Sequence, residues 1–289
     1  MNALTAYRGM VLSHDIGDYP EGIVVPVDKP YRWTSADVIR KVKWMAVKHF
    51  GKRNLKVGHA GTLDPLATGV LNVCIGKATR LADEIQKYPK QYLAGVSFGA
   101  VTPSYDLEKE ISETFPVDGV SEEALRAVLE AFVGEQDQVA PLFSAKSVDG
   151  VRAYEMARKL YKAGKPVPDD VLRSSRITVY GLELVSFTPG GDASVVPRVA
   201  QVCGGCGTTS TASNRIHVAD ISGYDLPRAE ILVDCSKGTY IRALARDLGE
   251  ALGTGAFLHS LRRTRNGPYG VSEALTVEEI ADIFTPQEK

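Results

Sequence analysis

The chain has 289 residues, 44% hydrophobic and 24% charged, enough to bury the core of one large domain or two modest ones. A net charge of −1 excludes a polyanion held by the field of the whole molecule, so any nucleic-acid contact has to come from local clusters of Lys and Arg. No run of about 18 apolar residues occurs, and the first 21 residues lack the basic and apolar regions of a signal peptide, so a cytoplasmic protein without membrane contact is expected.

GIVVPVDKP (Gly22 to Pro30) reads as a strand stopped by a turn. A helix follows, capped by Thr34 or Ser35, with Val38, Ile39, Val42, Met45 and Val47 or Phe50 on its apolar face and Gly51 at its end. Its other face and the turn after it carry Arg40, Lys41, Lys43, Lys48, Lys52, Arg53 and Lys56 with no acid between Asp37 and Asp64. A second basic cluster, LRRTR, spans Leu261 to Arg265. Such faces are commonly solvated surface, and they are also what a phosphate backbone needs.

VLNVCIG and YLAGVSFG read as strands, SEEALRAVLEAF as a helix ended by Gly134, and AYEMARKLYKAG as another helix. SRITVYGLELVSF and EILVDCS read as strands and TYIRALARDLGEALG as a helix, while Thr276 with Glu279 makes a capping box for a last short helix. Strands outnumber helices without the alternation of a doubly wound sheet, so the expected fold class is α+β with a mixed, largely antiparallel sheet flanked by helices and loops.

Phosphate-loop, dinucleotide, nucleophile-elbow and zincin motifs are absent, so no cofactor has an anchor and none is expected. Cys74 and Cys235 sit in apolar runs as small buried hydrophobes. Cys203 and Cys206 form CGGC with no further ligands to complete a metal site, His217 being alone, so no metal is expected and residues 189–214 read as an exposed Gly, Ser and Thr rich loop.

One charge is out of place. In GHAGTLDPLATGVL, Asp64 is the only acid between Lys56 and Lys77 and stands among Gly, Ala, Thr and Leu. Pro65 biases it to an extended conformation, and Gly58, Gly61 and Gly69 would let backbone approach a ligand closely. An aspartate capping a turn is the competing reading.

This loop resembles the catalytic loop of the TruB-type tRNA pseudouridine synthases. VDKPYRWTS is similar to that family's Lys-Pro motif, KQY (Lys90 to Tyr92) to its base-stacking motif, DCSKGTYIRAL to its arginine motif and GAFLHSLRRTRNGPYG to its closing segment, all in family order. QVAPLFSAKSVDGVRAYEMAR resembles its RNA-clasping insertion. The resemblance implies a pseudouridine synthase fold in one catalytic domain over residues 22–270, with the insertion at about 138–176, an N-terminal extension over 1–21 and a C-terminal helix and tail over 271–289. The family's frequent C-terminal PUA domain has no counterpart in these residues. Arg32 stands where the Lys-Pro motif usually has Gly, and Glu108 to Glu110 replace a Gly-containing turn after Asp106.

It further implies Asp64 as the catalytic aspartate, Tyr92 stacked on the flipped uracil, Tyr240 against its other side and Arg242 paired with Asp64. His59 would meet the RNA, Leu261 line the pocket, and Lys29 and Pro30 brace the loop. The implied reaction is isomerisation of uridine-55 in the T loop of tRNA, with the T-arm stem-loop as partner, no obligate protein partner and a monomeric enzyme. A non-catalytic RNA-binding protein on the same scaffold and a guide-RNA-directed synthase are the alternatives.

Overall fold

The computed structural model describes residues 3–141, 147–148, 151–152, 174–190 and 216–284. The CGGC loop, the helix expected in AYEMARKLYKAG and most of the expected clasp insertion lie outside them. In chain order the elements begin with β1 (Leu4–Thr5), β2 (Ile23–Lys29), α1 (Ser35–Phe50), β3 (Val57–His59), β4 (Ala67–Ile75) and α2 (Ala82–Lys87). There follow β5 (Lys90–Phe98), β6 (Ala100–Val101), β7 (Glu113–Thr114), α3 (Glu122–Ala131), β8 (Gly134–Val139), β9 (Ser147–Val148), β10 (Val151–Arg152) and β11 (Ser174–Thr188). The chain closes with β12 (Arg228–Cys235), α4 (Ile241–Ala251), β13 (Ala256–Asn266), β14 (Tyr269–Gly270) and α5 (Val277–Phe284).

These elements divide into two compact units. The first holds the described residues up to Leu93, Ile216 and those from Leu261 onward. Its strands run in the order β1-β2-β4-β13, with β3 also on β4 and β14 on β13. β2 and β3 pair antiparallel to β4, whereas β1 with β2 and β13 with β4 are parallel. Pro26 is tolerated in β2 because its side of the strand faces the edge beyond the end of β1, where Leu275 N donates to Pro26 O and Asp28 N to Leu275 O.

α1 forms where the spacing predicts. Thr34 and Asp37 make a reciprocal capping box, and Gly51 ends the helix at φ 63°, a conformation that costs glycine little. Val38, Val42, Met45 and Phe50 are buried, and Ile39 and Val47 are half-buried at the margin of the stripe. Cys74, as expected, is buried and its thiol is pushed up to about 11 by that burial.

The second unit holds the described residues from Ala94 to Ser260 other than Ile216. Its sheet joins β12, β11 and β8 antiparallel, with β5 beside β12. Gly134 opens β8 at φ 121°, and α3 already ends at Ala131 with Phe132 as its C-terminal cap, so the glycine starts a strand where the sequence suggested it stops the helix. Cys235 is buried here, as expected. Among the described residues, five α-helices and a mixed, largely antiparallel set of strand pairs agree with the expected α+β class.

Candidate active site

Asp64 lies in the turn between β3 and β4, half-buried, with Leu63, Leu66 and Ala67 buried on either side. Side chains from distant parts of the first unit hold the backbone around it. Asn266 Nδ2 donates to Ala60 O (3.4 Å), Arg263 Nη2 to Gly61 O (3.1 Å) and Arg263 Nη1 to Thr62 O (3.5 Å). Ser35 Oγ, at the start of α1, both donates to Leu63 O (3.1 Å) and accepts from Leu63 N (3.0 Å). Asp64 O accepts from Ala67 N (3.1 Å), and Lys29 Nζ donates to Pro65 O (3.1 Å). Each carbonyl from residue 60 to residue 65 therefore has a named donor, which leaves the loop little freedom to choose another conformation.

Lys29 is fully buried and its ammonium also donates to Pro30 O (3.0 Å) and Trp33 O (2.5 Å). Three carbonyls match the three N–H groups of an ammonium. Burial draws its pKa down to about 7, with the carboxylate of Asp64 as the largest opposing influence. Lys29 and Pro30 thus stand where a brace would, on the turn that meets the Asp64 loop.

Among the other expected residues of this unit, Leu261 opens the β13 segment that pairs with β4, opposite Ala67 in register, three residues after Asp64. His59 ends β3; its Nδ1 is buried without a hydrogen-bond partner, and burial followed by the Arg263 charge lowers its pKa. Tyr92 is buried in β5 beside Lys90, whose ammonium is held by Gln86 O and Tyr88 O (both 2.5 Å). The three glycines differ: a Cβ on Gly58 would meet nothing within 4 Å, and one on Gly61, at φ 95°, nothing nearer than 3.8 Å. Gly69, at φ 96°, has β13 where a Cβ would be, 2.2 Å from Arg263 O, so its missing side chain serves strand pairing; Gly58 has ordinary φ.

In the second unit Tyr240 is the N-terminal cap residue of α4, and its backbone N and O both bond the Gln138 amide (2.8 and 3.1 Å). Arg242 is buried in the first turn of the helix, as its second residue. It donates to Ser104 O (3.2 Å), and its Nε lies 3.6 Å from Asp106 Oδ2. Asp106 in turn accepts from Ser104 Oγ (2.6 Å) and Glu108 N (2.9 Å), so this aspartate ties the Glu108 to Glu110 turn to the guanidinium. Sequence reading missed Asp106 as an arginine partner, although its place immediately before the altered turn was a signal.

The two basic clusters fare differently. Lys41, Lys43, Lys48, Lys52, Arg53 and Lys56 are exposed, as is Arg40, which pairs with Asp37. Trp44 stands among them 60% exposed, with the Lys41 and Lys48 ammoniums each 5.5 Å from its ring. LRRTR, by contrast, is not a free patch. Arg263 is 2% exposed, and Arg262 pairs with Asp28 at 2.7 Å; only Arg265 is exposed. A parallel strand turned the middle arginine inward, which a count of charges cannot show.

Comparison with known proteins places these features. Residues 48–200 match the family described as TruB family pseudouridylate synthase (N terminal domain), and residues 242–289 match the tRNA pseudouridylate synthase B C-terminal domain. The chain is 40% identical over 271 residues to the tRNA pseudouridine synthase B of Phocaeicola vulgatus, covering 94% of this chain and 97% of that one. It is 40% identical to the protein of the same name from Thermobifida fusca, covering 92% of this chain and 76% of the relative. Among solved structures it is similar to a Cbf5-Nop10-Gar1 complex, at 25% identity and a TM-score of 0.57, covering 97% of this chain and 60% of that one. The archaeal box H/ACA sRNP Nop10-Cbf5 complex matches at 23% identity and a TM-score of 0.53. This chain spans 54% of the length of that structure's matched chain.

Proposed function

We propose a mechanism for a chain that belongs to the TruB family of pseudouridylate synthases and is a tRNA pseudouridine synthase. The target is uridine-55 in the T loop, and Asp64 carries the reaction. The observation that supports this most directly is a half-buried carboxylate on a loop whose carbonyls from 60 to 65 are all held by donors, in a chain about 40% identical to synthases over most of its length.

Isomerisation breaks the bond from C1′ to N1, turns the uracil, joins C1′ to C5 and releases the C5 proton while N1 gains one. Asp64 acts in its ionised form, either by adding to C1′ or by removing a ribose proton. A uridine inside a folded T loop has to be flipped out to be reached. Tyr92 supports its ring, Tyr240 lies on the other face, and Leu261 closes the pocket against water. Arg242 is assigned the role of pairing with and orienting Asp64, and its own Nε lies 3.6 Å from Asp106 Oδ2. His59 meets the RNA beside the vacated stack. Buried Leu63 and Leu66 keep water from a detached base.

The exposed lysines of α1 supply phosphate contacts to the T-arm. The protein acts as a monomer in the cytoplasm, without a protein partner or cofactor; among the described residues no helix is long and apolar enough to cross a membrane. A purely RNA-binding role is not favoured, because the curated relatives are named as synthases. Pseudouridine mapping in a T-arm stem-loop, after incubation with purified protein and no additive, tests substrate, position and cofactor independence together. Modification confined to the T-loop uridine is expected, and an unmodified RNA overturns the reading.

A further inference from the structure

Arg263 is an unusual thing to bury. Its guanidinium, 2% exposed, meets three backbone carbonyls, Val70 O (2.7 Å), Gly61 O (3.1 Å) and Thr62 O (3.5 Å), and these are its hydrogen-bond acceptors. No carboxylate among the described residues pairs with it. A buried cation facing only neutral acceptors is costly, and an apolar side chain of similar volume would generally serve stability as well or better. The three carbonyls lie on both sides of Asp64 along the chain, three and two residues before it and six after.

The strand that carries Arg263 cannot shift without moving them. Arg263 pairs with Gly69 in the parallel ladder, and Gly69 has no room for a Cβ against the arginine's own carbonyl. Two positions along, Leu261 faces Ala67. Backbone pairing thus fixes the β4 side of the loop while the guanidinium of the same strand fixes the β3 side, so β13 sets the span across which Asp64 is presented. A planar fork presents five N–H groups in a fixed geometry on a long stem, and a lysine at the same position would not reproduce that placement of donors.

We propose that Arg263 is a positioning residue for the isomerisation: it holds the Asp64 loop in its reactive conformation through Gly61, Thr62 and Val70 and touches neither the base nor the phosphates. This rests on the reading of Asp64 as the catalytic group. The role is separate from RNA affinity, because the guanidinium is out of reach of solvent. A carboxylate displaced by about an ångström loses about a hundredfold in rate without changing how RNA docks.

The test begins with wild-type protein and Asp64→Asn on a T-arm stem-loop; activity in the first and none in the second validates the underlying reading independently. Arg263→Lys, which keeps the charge, and Arg263→Met, which keeps the stem, are then compared. The expected result is a kcat lower by at least thirtyfold in both, with the dissociation constant for the same RNA within threefold of wild type, and with lysine no better than threefold above methionine. A kcat within threefold of wild type in the lysine variant, or kcat and affinity falling together, overturns the proposal. Hydrogen exchange on the wild-type protein covers the case in which neither variant folds. The Leu63 and Ala67 amides should exchange at least a thousandfold more slowly than free amides, and exchange within tenfold of the free rate overturns the proposal.

Discussion

Replacing Lys29 with methionine removes the one ammonium that bonds the Pro30, Trp33 and Pro65 carbonyls, and its effect has a sign that depends on pH. The amine titrates at about 7 in the folded protein against 10.5 for an ordinary lysine, because burial disfavours its charge more than Asp64 favours it. Between those two values the unfolded chain holds a proton that the folded chain has given up, so stability rises with pH across that window. The interval is worth about 5 kcal/mol at 1.36 kcal/mol per pH unit. Denaturant unfolding of wild type and Lys29→Met from pH 7 to 10.5 isolates the contribution, since all other groups titrate alike. Wild type should gain several kcal/mol relative to the variant over that range. Activity should move the other way. The neutral amine has two N–H groups for three carbonyls and turns a lone pair toward one of them, so kcat should decline as pH rises through about 7 while the fold becomes more stable. A stability difference that stays flat across the window, or a kcat that holds to pH 9, refutes the argument that the ammonium braces the loop.

Three other outcomes follow from the same geometry. Tyr92→Leu should lose most of its activity and Tyr92→Phe much less, because stacking of a base on a ring is worth about 1–3 kcal/mol and needs no hydroxyl; equal losses would point to a proton-transfer role. RNA affinity should fall steeply with salt, and neutralising Lys41 and Lys48 together should lower the slope of log K against log salt by about 1.8 on duplex-like RNA; an unchanged slope would remove α1 from the phosphate contacts. His259, whose Nδ1 lies 3.0 Å from Ser97 Oγ, has its pKa lowered to about 4 by burial and the nearby Arg228. The folded state therefore resists a proton that the unfolded state takes up near 6.5, and about 3 kcal/mol of stability should be lost as pH falls from 6.5 to 4, a loss absent in His259→Asn by chemical denaturation.

Much of the frame was legible. The capping box of α1, its buried stripe and its Gly51 terminus are local patterns, and so is the Thr276–Glu279 box that starts α5, seen in bonds of 2.9 and 3.2 Å. The arginines of GAFLHSLRRTRN give it the pattern of a basic patch and mask the strand; β13 is parallel to β4, and its inward side carries the guanidinium. The brace around Asp64 left no trace in spacing. Arg263 meets acceptors 193 to 202 positions away, and backbone carbonyls have no residue signature. Arg32 shows the limit from the other side. It adopts φ 62°, the left-handed conformation suited to the glycine it replaces, at a cost of about 1–2 kcal/mol, and its Nη2 donates to Ile216 O at 2.6 Å. The motif identified the strained position, and only the structure shows that arginine accepts the strain.

The central claim is that the Asp64 carboxylate performs the chemistry and contributes little to holding RNA. The most direct measurement is tritium release from 5-labelled uridine in a T-arm stem-loop by Asp64→Asn, paired with a binding curve on the same RNA. The expected result is release indistinguishable from the uncatalysed background with a dissociation constant within a few fold of wild type. Turnover near the wild-type rate would contradict the account.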